Sequence, residues 1–164
     1  MAFTNQKKIT MKKILAVLLV TLSINGFAQQ KEIKWHTDVN KAINISVQTE
    51  KPIFMFFTGS DWCGWCKKLV KEVFIKQEFK SWAAKNAILV ELDFPRRTPI
   101  SEELKKQNRD LGSMFGVRGY PTGWFVIPTI ADGKVNFNKL GSQGYVAGGP
   151  KSWIAGANRI LKTK

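Results

Sequence analysis

The sequence predicts an α/β domain in which helices flank both faces of a central mixed β-sheet. Segments with helical periodicity alternate with short, continuous apolar runs along most of the 164-residue chain, and this alternation is typical of a sheet that is covered on two sides. The last two strand-like segments are separated only by a turn, which predicts an antiparallel hairpin within the sheet. The length suffices for one domain with a substantial core, and the sequence contains no internal repeat or low-complexity linker.

The first 28 residues differ in character from the rest of the chain. Four lysines and no acidic residue precede an apolar run, Ile14–Ile24, which is followed by small residues at Gly26 and Ala28. This pattern predicts a secretory signal peptide over residues 1–28 that is cleaved after Ala28. The alternative is a retained membrane anchor, but an eleven-residue run is short for a hydrocarbon core of ~30 Å. We therefore expect an exported protein, periplasmic or extracellular, whose domain comprises residues 29–164.

The chain is strongly basic, with a formal net charge of +14. Loss of the four lysines in residues 1–28 would leave +10. A dense basic patch is the usual mark of nucleic-acid binding, but here the positive residues are scattered, with no dense run longer than a pair such as Lys67-Lys68. We therefore predict no nucleic-acid partner and, after signal cleavage, no stable insertion into a membrane.

The first half of the domain predicts two helices on either side of one buried strand. Residues 37–49 show weak helical periodicity, with Thr37 as a possible N-cap. The apolar side of this helix comprises Val39, Ala42, Ile43 and Val47. The run Ile53–Phe57 predicts a strand that is buried on both faces. Residues Lys67–Lys80 then predict a second helix from the spacing of Leu69, Val70, Val73, Phe74 and Phe79.

The second half of the domain predicts three strands and two helices. A buried strand at Ala87–Leu92 precedes a helix whose N-cap is Ser101 and whose inner side comprises Leu104, Leu111 and Phe115. The remaining two strands are joined by a turn at residues 131–134, and Pro150 opens the last helix. These two hairpin strands are Trp124–Ile127 and Val135–Leu140.

The segment Cys63-Gly64-Trp65-Cys66 joins the first buried strand to the helix that follows it. Two cysteines at this spacing on the first turn of a helix can close a small disulfide ring. Cys63 would lie at the helix N-terminus, where the helix dipole favours a thiolate, so we predict that Cys63 is the nucleophile. Cys66 would be more buried, and we predict that it resolves the mixed disulfide that Cys63 forms with a substrate.

Three other uses of the two cysteines can be compared with this one. Covalent haem attachment requires a histidine after the second cysteine, and that residue is Lys67. Zinc requires about four ligands, and with only two cysteines and the single histidine His36 a zinc site would have to be shared between chains. An inert structural disulfide stays open, although so small a ring constrains the unfolded chain little. We predict a redox-active Cys63–Cys66 disulfide, with no separate cofactor and no metal.

Two separate motifs resemble the thioredoxin superfamily. The segment Trp62–Lys67 is similar to the family's active-site pattern, and Phe115–Thr122 is similar to the segment that carries its cis-proline. The two segments occur in the family's order, about 55 residues apart. The approach to the first motif, Phe56–Trp62, looks like that of the small exported thioredoxin-like proteins. The resemblance implies a thioredoxin-like fold for residues 29–164.

The resemblance also implies the composition of the site. Pro121 would follow a cis peptide bond and face Cys63, and the backbone of Tyr120 would be free to pair with an extended substrate. The side chains implied to form an apolar rim for substrate binding are Trp62, Trp65 and Tyr120.

The sequence departs from the family pattern at two positions. Trp65 replaces the proline that usually precedes the second cysteine, and Phe57 replaces a buried aspartate six residues before the first. Both positions influence thiol chemistry, so the direction of electron flow stays open, and the proton acceptor is water, Asp61 or a lysine. The loop that begins at Phe94 and leads to the third helix is longer than in a minimal thioredoxin.

The predicted function is that of an extracytoplasmic protein disulfide reductase or isomerase. It would act on protein thiols and disulfides and be kept reduced by a membrane or extracytoplasmic thiol donor. Two alternatives stay open: a dithiol oxidase that introduces disulfides, and a binding module that grips extended chains at Tyr120-Pro121 without catalysis.

Overall fold

A computed structural model describes residues 33–162, and the predicted signal peptide with its cleavage position lies outside these residues. The strands are β1 (Trp35–His36), β2 (Ile53–Thr58), β3 (Ile88–Asp93), β4 (Thr122–Ala131) and β5 (Lys134–Gln143). The helices are α1 (Val39–Thr49), α2 (Gly64–Leu69), α3 (Gln77–Asn86), α4 (Glu102–Met114) and α5 (Gly149–Leu161), and a π-helical turn at Val70–Phe74 extends α2. The predicted α/β fold class is confirmed.

The five strands form one mixed sheet in the order β1-β3-β2-β4-β5. The central strand β2 runs parallel to β3 and antiparallel to β4, so that Thr58 pairs with Asp93 and Phe57 pairs with Thr122. The carboxyl ends of β2 and β3 and the start of β4 therefore lie at the same edge of the sheet. This topology brings together three segments that are far apart in sequence: the dithiol, the loop after β3 and the segment before β4.

Strand β2 separates two apolar clusters because successive side chains of a strand point to opposite faces. Phe54 and Phe56 pack in the cluster beneath α2, α3 and α5, which also contains both cysteines. Ile53, Met55 and Phe57 pack in the other cluster, against α1 and α4. All six residues of β2 are buried, which explains its continuous apolar sequence.

The prediction of one continuous helix over Lys67–Lys80 is wrong. The helical segment begins earlier, at Gly64, and ends in the π-helical turn, where the Ile75 N–H donates to the Val70 carbonyl at 3.1 Å. The chain then extends at Lys76 before α3 begins. Phe79 lies five positions after Phe74, so on an α-helix the two side chains would point about 140° apart. An unbroken helix would therefore not bury both. The break lets both rings enter one cluster.

Other differences occur where the sequence signal is weak. The N-cap of α1 is Asp38 instead of Thr37, and Val47 is exposed instead of facing the core. The edge strand β1 was not predicted, because two residues are too few to show a period. Strands β4 and β5 extend beyond their predicted ends through residues of mixed exposure. The Ser101 cap of α4 is confirmed, since its hydroxyl accepts the Leu104 N–H at 3.3 Å.

Candidate active site

The dithiol lies at the junction between β2 and α2. Cys63 is the N-cap of α2, and its sulfur accepts a hydrogen bond from the Cys66 N–H at 3.1 Å. The two sulfurs are joined in a disulfide, with 5.3 Å between the Cα atoms. A sulfur that receives an N–H at the start of a helix is in an environment that stabilises negative charge. The geometry therefore favours Cys63 as the thiolate of the reduced pair.

The segment before the dithiol is fixed from the end of β3. The Asp93 carboxylate accepts hydrogen bonds from the backbone N–H of Ser60, at 2.8 Å, and from its hydroxyl. The Gly59 carbonyl accepts the Cys63 N–H at 2.8 Å, and a Cβ at Gly59 would collide with the ring of Trp62. Glycine is required here for this close approach.

One wall of the site joins the tryptophan of the motif to the loop after β3. The Trp62 indole N–H donates to the Phe94 carbonyl at 2.8 Å, and the Tyr120 ring meets the Trp62 ring edge-on at 5.7 Å between centroids. The Arg96 guanidinium lies over the Trp62 ring, 3.9 Å from its centre. The loop that the sequence showed as an extension is therefore part of the active-site wall.

Asp61 holds this loop in place. Its carboxylate accepts backbone N–H groups from Arg96 at 3.1 Å, Arg97 at 2.6 Å and Thr98 at 3.0 Å. These hydrogen bonds, that from Arg96 first, lower the pKa of Asp61. Because its oxygens are already occupied, Asp61 is a poor acceptor for a cysteine proton.

A second aromatic pair contains the exposed Trp65. Its side chain is 59% exposed and its ring contacts that of Tyr145, at 5.3 Å between centroids. Lys68 lies over both rings, at 5.6 Å and 5.4 Å from their centres. The Tyr145 hydroxyl donates to the Glu72 carboxylate at 2.6 Å, and this bond lowers the pKa of Glu72 and raises that of Tyr145.

The segment before β4 supplies Tyr120 and Pro121, whose connecting peptide bond is cis. It lies just beyond the Phe57–Thr122 pair, beside the end of β2. The structure thus brings Tyr120 against Trp62, whereas the ring of Trp65 contacts that of Tyr145.

The inner side of the dithiol borders a cleft of about 350 Å³. Cys66 lines this cleft together with Glu91 of β3. Burial, reinforced by the charge of Asp93, raises the pKa of Glu91. Cys66 is 1% exposed and Cys63 is 6% exposed, so the two sulfurs differ less in total burial than in what surrounds them.

The comparison with known proteins identifies the family. The model of a Thioredoxin-like domain matches residues 39–147, which is more than half of the chain. The chain belongs to the thioredoxin-like family. The disulfide bond reductase DsbH of Chlamydia pneumoniae is 35% identical over 124 residues, which are 76% of this chain and 70% of that protein.

Further similarities agree with this membership. The thioredoxin-related protein DsbJ of Chlamydia pneumoniae is 34% identical over 71% of this chain, which spans only 36% of that protein. The solved structure of a DsbH oxidoreductase aligns with a TM-score of 0.71 and 32% identity, over 81% of this chain and 87% of that one. This thioredoxin-like chain, with its Cys63–Cys66 disulfide, is a thiol-disulfide oxidoreductase.

Two residues that the structure places at the site could not be identified from the sequence. Tyr145 lies in a loop far along the chain from Trp65, and no motif marks it. Glu91 lies within the apolar run that predicted β3, and its one signal is a lone acid in a buried strand. The roles of Cys63, Cys66, Trp62, Trp65, Tyr120 and Pro121 stay predictions that the geometry accommodates.

Two further findings concern residues 33–162. No three His, Cys, Asp or Glu side chains within residues 33–162 are grouped in a way that could hold a metal ion. Over the same residues, no helix is both long enough and apolar enough to cross a bilayer.

Proposed function

We propose that this thiol-disulfide oxidoreductase is an exported protein disulfide reductase, able to isomerise disulfides by the same exchange chemistry. Cys63 is its nucleophile and Cys66 its resolving thiol. The observation that carries this assignment is the hydrogen bond from the Cys66 N–H to the Cys63 sulfur at the start of α2. The name of the relative DsbH, a disulfide bond reductase, supports the reducing direction.

The reaction proceeds in two exchanges. The Cys63 thiolate attacks one sulfur of a substrate disulfide, forming a mixed disulfide and releasing a substrate thiolate that takes a proton from solvent. The Cys66 thiolate then attacks the Cys63 sulfur, which releases the second substrate thiol and closes the Cys63–Cys66 disulfide. Two electrons pass to the substrate, and a dithiol donor returns them to the protein by the reverse exchanges. The disulfide itself serves as the redox group, with no other cofactor.

The surroundings of Cys63 suit an extended polypeptide substrate. Trp62 and Tyr120 form one aromatic pair near the dithiol motif, and Trp65 forms a second with Tyr145. The Tyr120 backbone pairs with the substrate as an added strand beside Pro121. Positive charge at Arg96 favours substrates with acidic residues near the disulfide, whereas Lys68 is paired with Glu72 at 3.5 Å.

The proposed location is outside the cytoplasm, in the periplasm or beyond the cell. The lysine-rich start, the apolar run and the small residues before position 29 support export. An exported dithiol needs a membrane or extracytoplasmic thiol donor to remain reduced. The proposal includes no nucleic-acid partner and no stable insertion into a membrane.

A redox equilibrium tests the direction of electron flow. The Cys63–Cys66 disulfide is equilibrated with glutathione, and the proposal predicts a potential below about −220 mV, in the range of reducing family members. A potential near about −120 mV, that of a strong oxidant, would overturn the reductase assignment in favour of a dithiol oxidase. Turbidity from insulin reduction measures the activity in parallel. A potential in the reducing range without insulin reduction would favour a peptide-binding module.

A further inference from the structure

The cleft beside Cys66 is a solvent-open space between β3 and the helical segment that carries the dithiol, and its mainly apolar lining includes several polar groups. Among the described residues, its lining consists of apolar side chains, two hydroxyl groups, two lysines, the resolving cysteine and one acid. These residues are Thr58, Ser60, Cys66, Lys67, Val70, Lys71, Ile75 and Glu91. A volume of about 350 Å³ has room for several waters, since each occupies about 30 Å³ in the liquid.

Glu91 is directed towards the dithiol by the register of the sheet. It pairs with Phe56 of β2, so that both side chains lie on the same face. Phe56 packs in the cluster that contains Cys66. A second cleft of about 360 Å³, lined by Trp35 and Phe74, adjoins the first and shares Glu91 with it.

A carboxyl group at position 91 carries a desolvation cost. Glu91 lies in a strand with three fully or almost fully buried residues, Leu89, Val90 and Leu92. Burial of a carboxylate in such surroundings disfavours its charged form. The retained carboxyl group is therefore a base that gains a proton readily, and it borders the space that also borders Cys66.

Other carboxylates near the dithiol are already engaged by hydrogen bonds. Asp61 accepts three backbone N–H groups of the loop after β3, and Asp93 accepts both the N–H and the hydroxyl of Ser60. Phe57, at the end of β2, is apolar and packs on the opposite face of the sheet. Glu91 is the acid that shares a solvent space with the resolving sulfur.

We propose that Glu91 accepts the proton of Cys66, through water in this cleft, when Cys66 resolves the mixed disulfide. This inference rests on the proposed two-exchange cycle. The Cys66 S–H bond breaks, the proton passes through water to the Glu91 carboxylate, and the thiolate attacks the Cys63 sulfur. When a donor dithiol reduces the protein, the departing Cys66 thiolate recovers that proton from the Glu91 carboxyl group. Glu91 therefore acts through water, as a positioning residue that holds the proton, and it does not touch the exchanging sulfurs.

Three lysines and one aspartate share the surroundings of Glu91. Lys67 of α2 and Lys71 of its π-helical turn line one cleft with Glu91, Lys80 of α3 lines the other, and Asp93 lies on the same strand. Desolvation and Asp93 raise the pKa of Glu91 above its ordinary value. Below that pKa the carboxyl group is neutral and cannot accept a proton, so resolution by Cys66 slows as the pH falls through it.

A two-phase exchange reaction separates the two steps. The reduced protein is mixed with bis(nitrobenzoate) disulfide, which releases one coloured thiolate when Cys63 attacks and a second when Cys66 resolves. For Glu91→Gln we expect the first phase to remain and the second to slow by about tenfold to a hundredfold, the lower end of general acid–base effects. The acid-side inflection of the second phase should also disappear. Glu78→Gln, which removes an exposed acid of α3, is the matched control and should retain both phases.

Glu91→Asp keeps the carboxyl group but withdraws it by one methylene. It should show an intermediate second phase that retains the acid-side inflection, and this variant decides the matter if Glu91→Gln does not fold. A second phase with wild-type rate and pH profile in Glu91→Gln would overturn the role of Glu91. Equal slowing of both phases would overturn it as well, since that indicates a general structural defect. Absence of the second phase in the wild-type protein would instead count against the proposed exchange cycle.

Discussion

The two sulfurs of the disulfide lie three residues apart in sequence but face different parts of the molecule. The outer side, around Cys63, is bordered by aromatic rings and positive charges contributed by the helix, the loop after β3 and the segment before β4. The inner side, at Cys66, is a cleft lined by a half-buried acid, Glu91. The outer side is suited to contact a partner, and the inner side is suited to control a proton. Partner choice and thiol chemistry should therefore be separable by mutation.

The largest expected effect comes from replacing either cysteine, because the two replacements distinguish the nucleophile from the resolving thiol. Cys63→Ser should abolish insulin reduction and should form no mixed disulfides, because the nucleophile is absent. Cys66→Ala should also stop turnover but should retain the first exchange, and so accumulate mixed disulfides with client proteins at Cys63. Gel analysis without reductant, followed by mass spectrometry, measures the trapped species. Trapping at Cys66 in the Cys63→Ser variant, with none at Cys63 in Cys66→Ala, would reverse the assignment.

The second prediction concerns the anchor of the outer wall. Asp61→Asn weakens three hydrogen bonds to the loop after β3, and bonds to a charged acceptor are stronger than those to a neutral one. We expect the amides of Arg96, Arg97 and Thr98 to exchange with solvent about tenfold faster or more. Asp110→Asn, which removes an exposed acid of α4, is the control and should leave these amides unchanged.

The pH dependence of the same amides follows from the direction of the Asp61 shift. Hydrogen bonds to the charged form lower the pKa of Asp61, so the carboxylate remains charged at pH values where a free aspartate is half protonated. Loop protection should therefore be present above the unfolded pKa and be lost as the pH falls through the lowered folded pKa. Loss of protection at the ordinary aspartate pKa would contradict the anchoring role.

A smaller effect is expected from the exposed tryptophan. Trp65→Ala should raise the KM for insulin by about threefold to tenfold, the range of one aromatic contact. The reaction with bis(nitrobenzoate) disulfide should change less, because that reagent needs less of the outer surface. Ile130→Ala removes a similarly exposed apolar side chain at the far end of β4 and should leave the KM unchanged. An equal effect of both variants would show that Trp65 has no specific role in substrate binding.

The smallest expected effect is electrostatic. Arg96→Gln removes the guanidinium over Trp62 and should raise the KM for an acidic disulfide peptide by about twofold to fivefold at low salt, as expected for an exposed cation–π and charge contribution. Arg96→Lys should retain part of the effect, and Arg159→Gln in α5 is the charge-matched control. A salt-independent change in KM would argue against attraction of acidic substrates.

The sequence predicted those parts of the molecule that have a strong local signal. The continuous run of β2, the Ser101 cap and the turn at residues 131–134 each depend on neighbouring residues, and the structure contains all three. The dithiol motif likewise marked its own position at the end of a strand and the start of a helix.

The parts that were missed depend on distant contacts or on a small change in helical geometry. The π-helical turn has no distinct composition, so the apolar residues of Lys67–Lys80 predicted one unbroken helix. Asp61 became a loop anchor only when the sheet brought β3 beside β2. Glu91 borders Cys66 because of the strand register, and no local pattern records that register.

The most direct test of the central claim is the pH dependence of alkylation of each cysteine in the reduced protein, resolved by mass spectrometry of the labelled peptides. The helix N-terminus should place the pKa of Cys63 below the free value near ~8.5, while burial and the Glu91 charge should place that of Cys66 above it. Glu91→Gln should lower the pKa of Cys66 and leave that of Cys63 nearly unchanged. A Cys66 that ionises before Cys63, or two thiols that titrate together near the free value, would contradict the separation of an outer substrate side from an inner proton side.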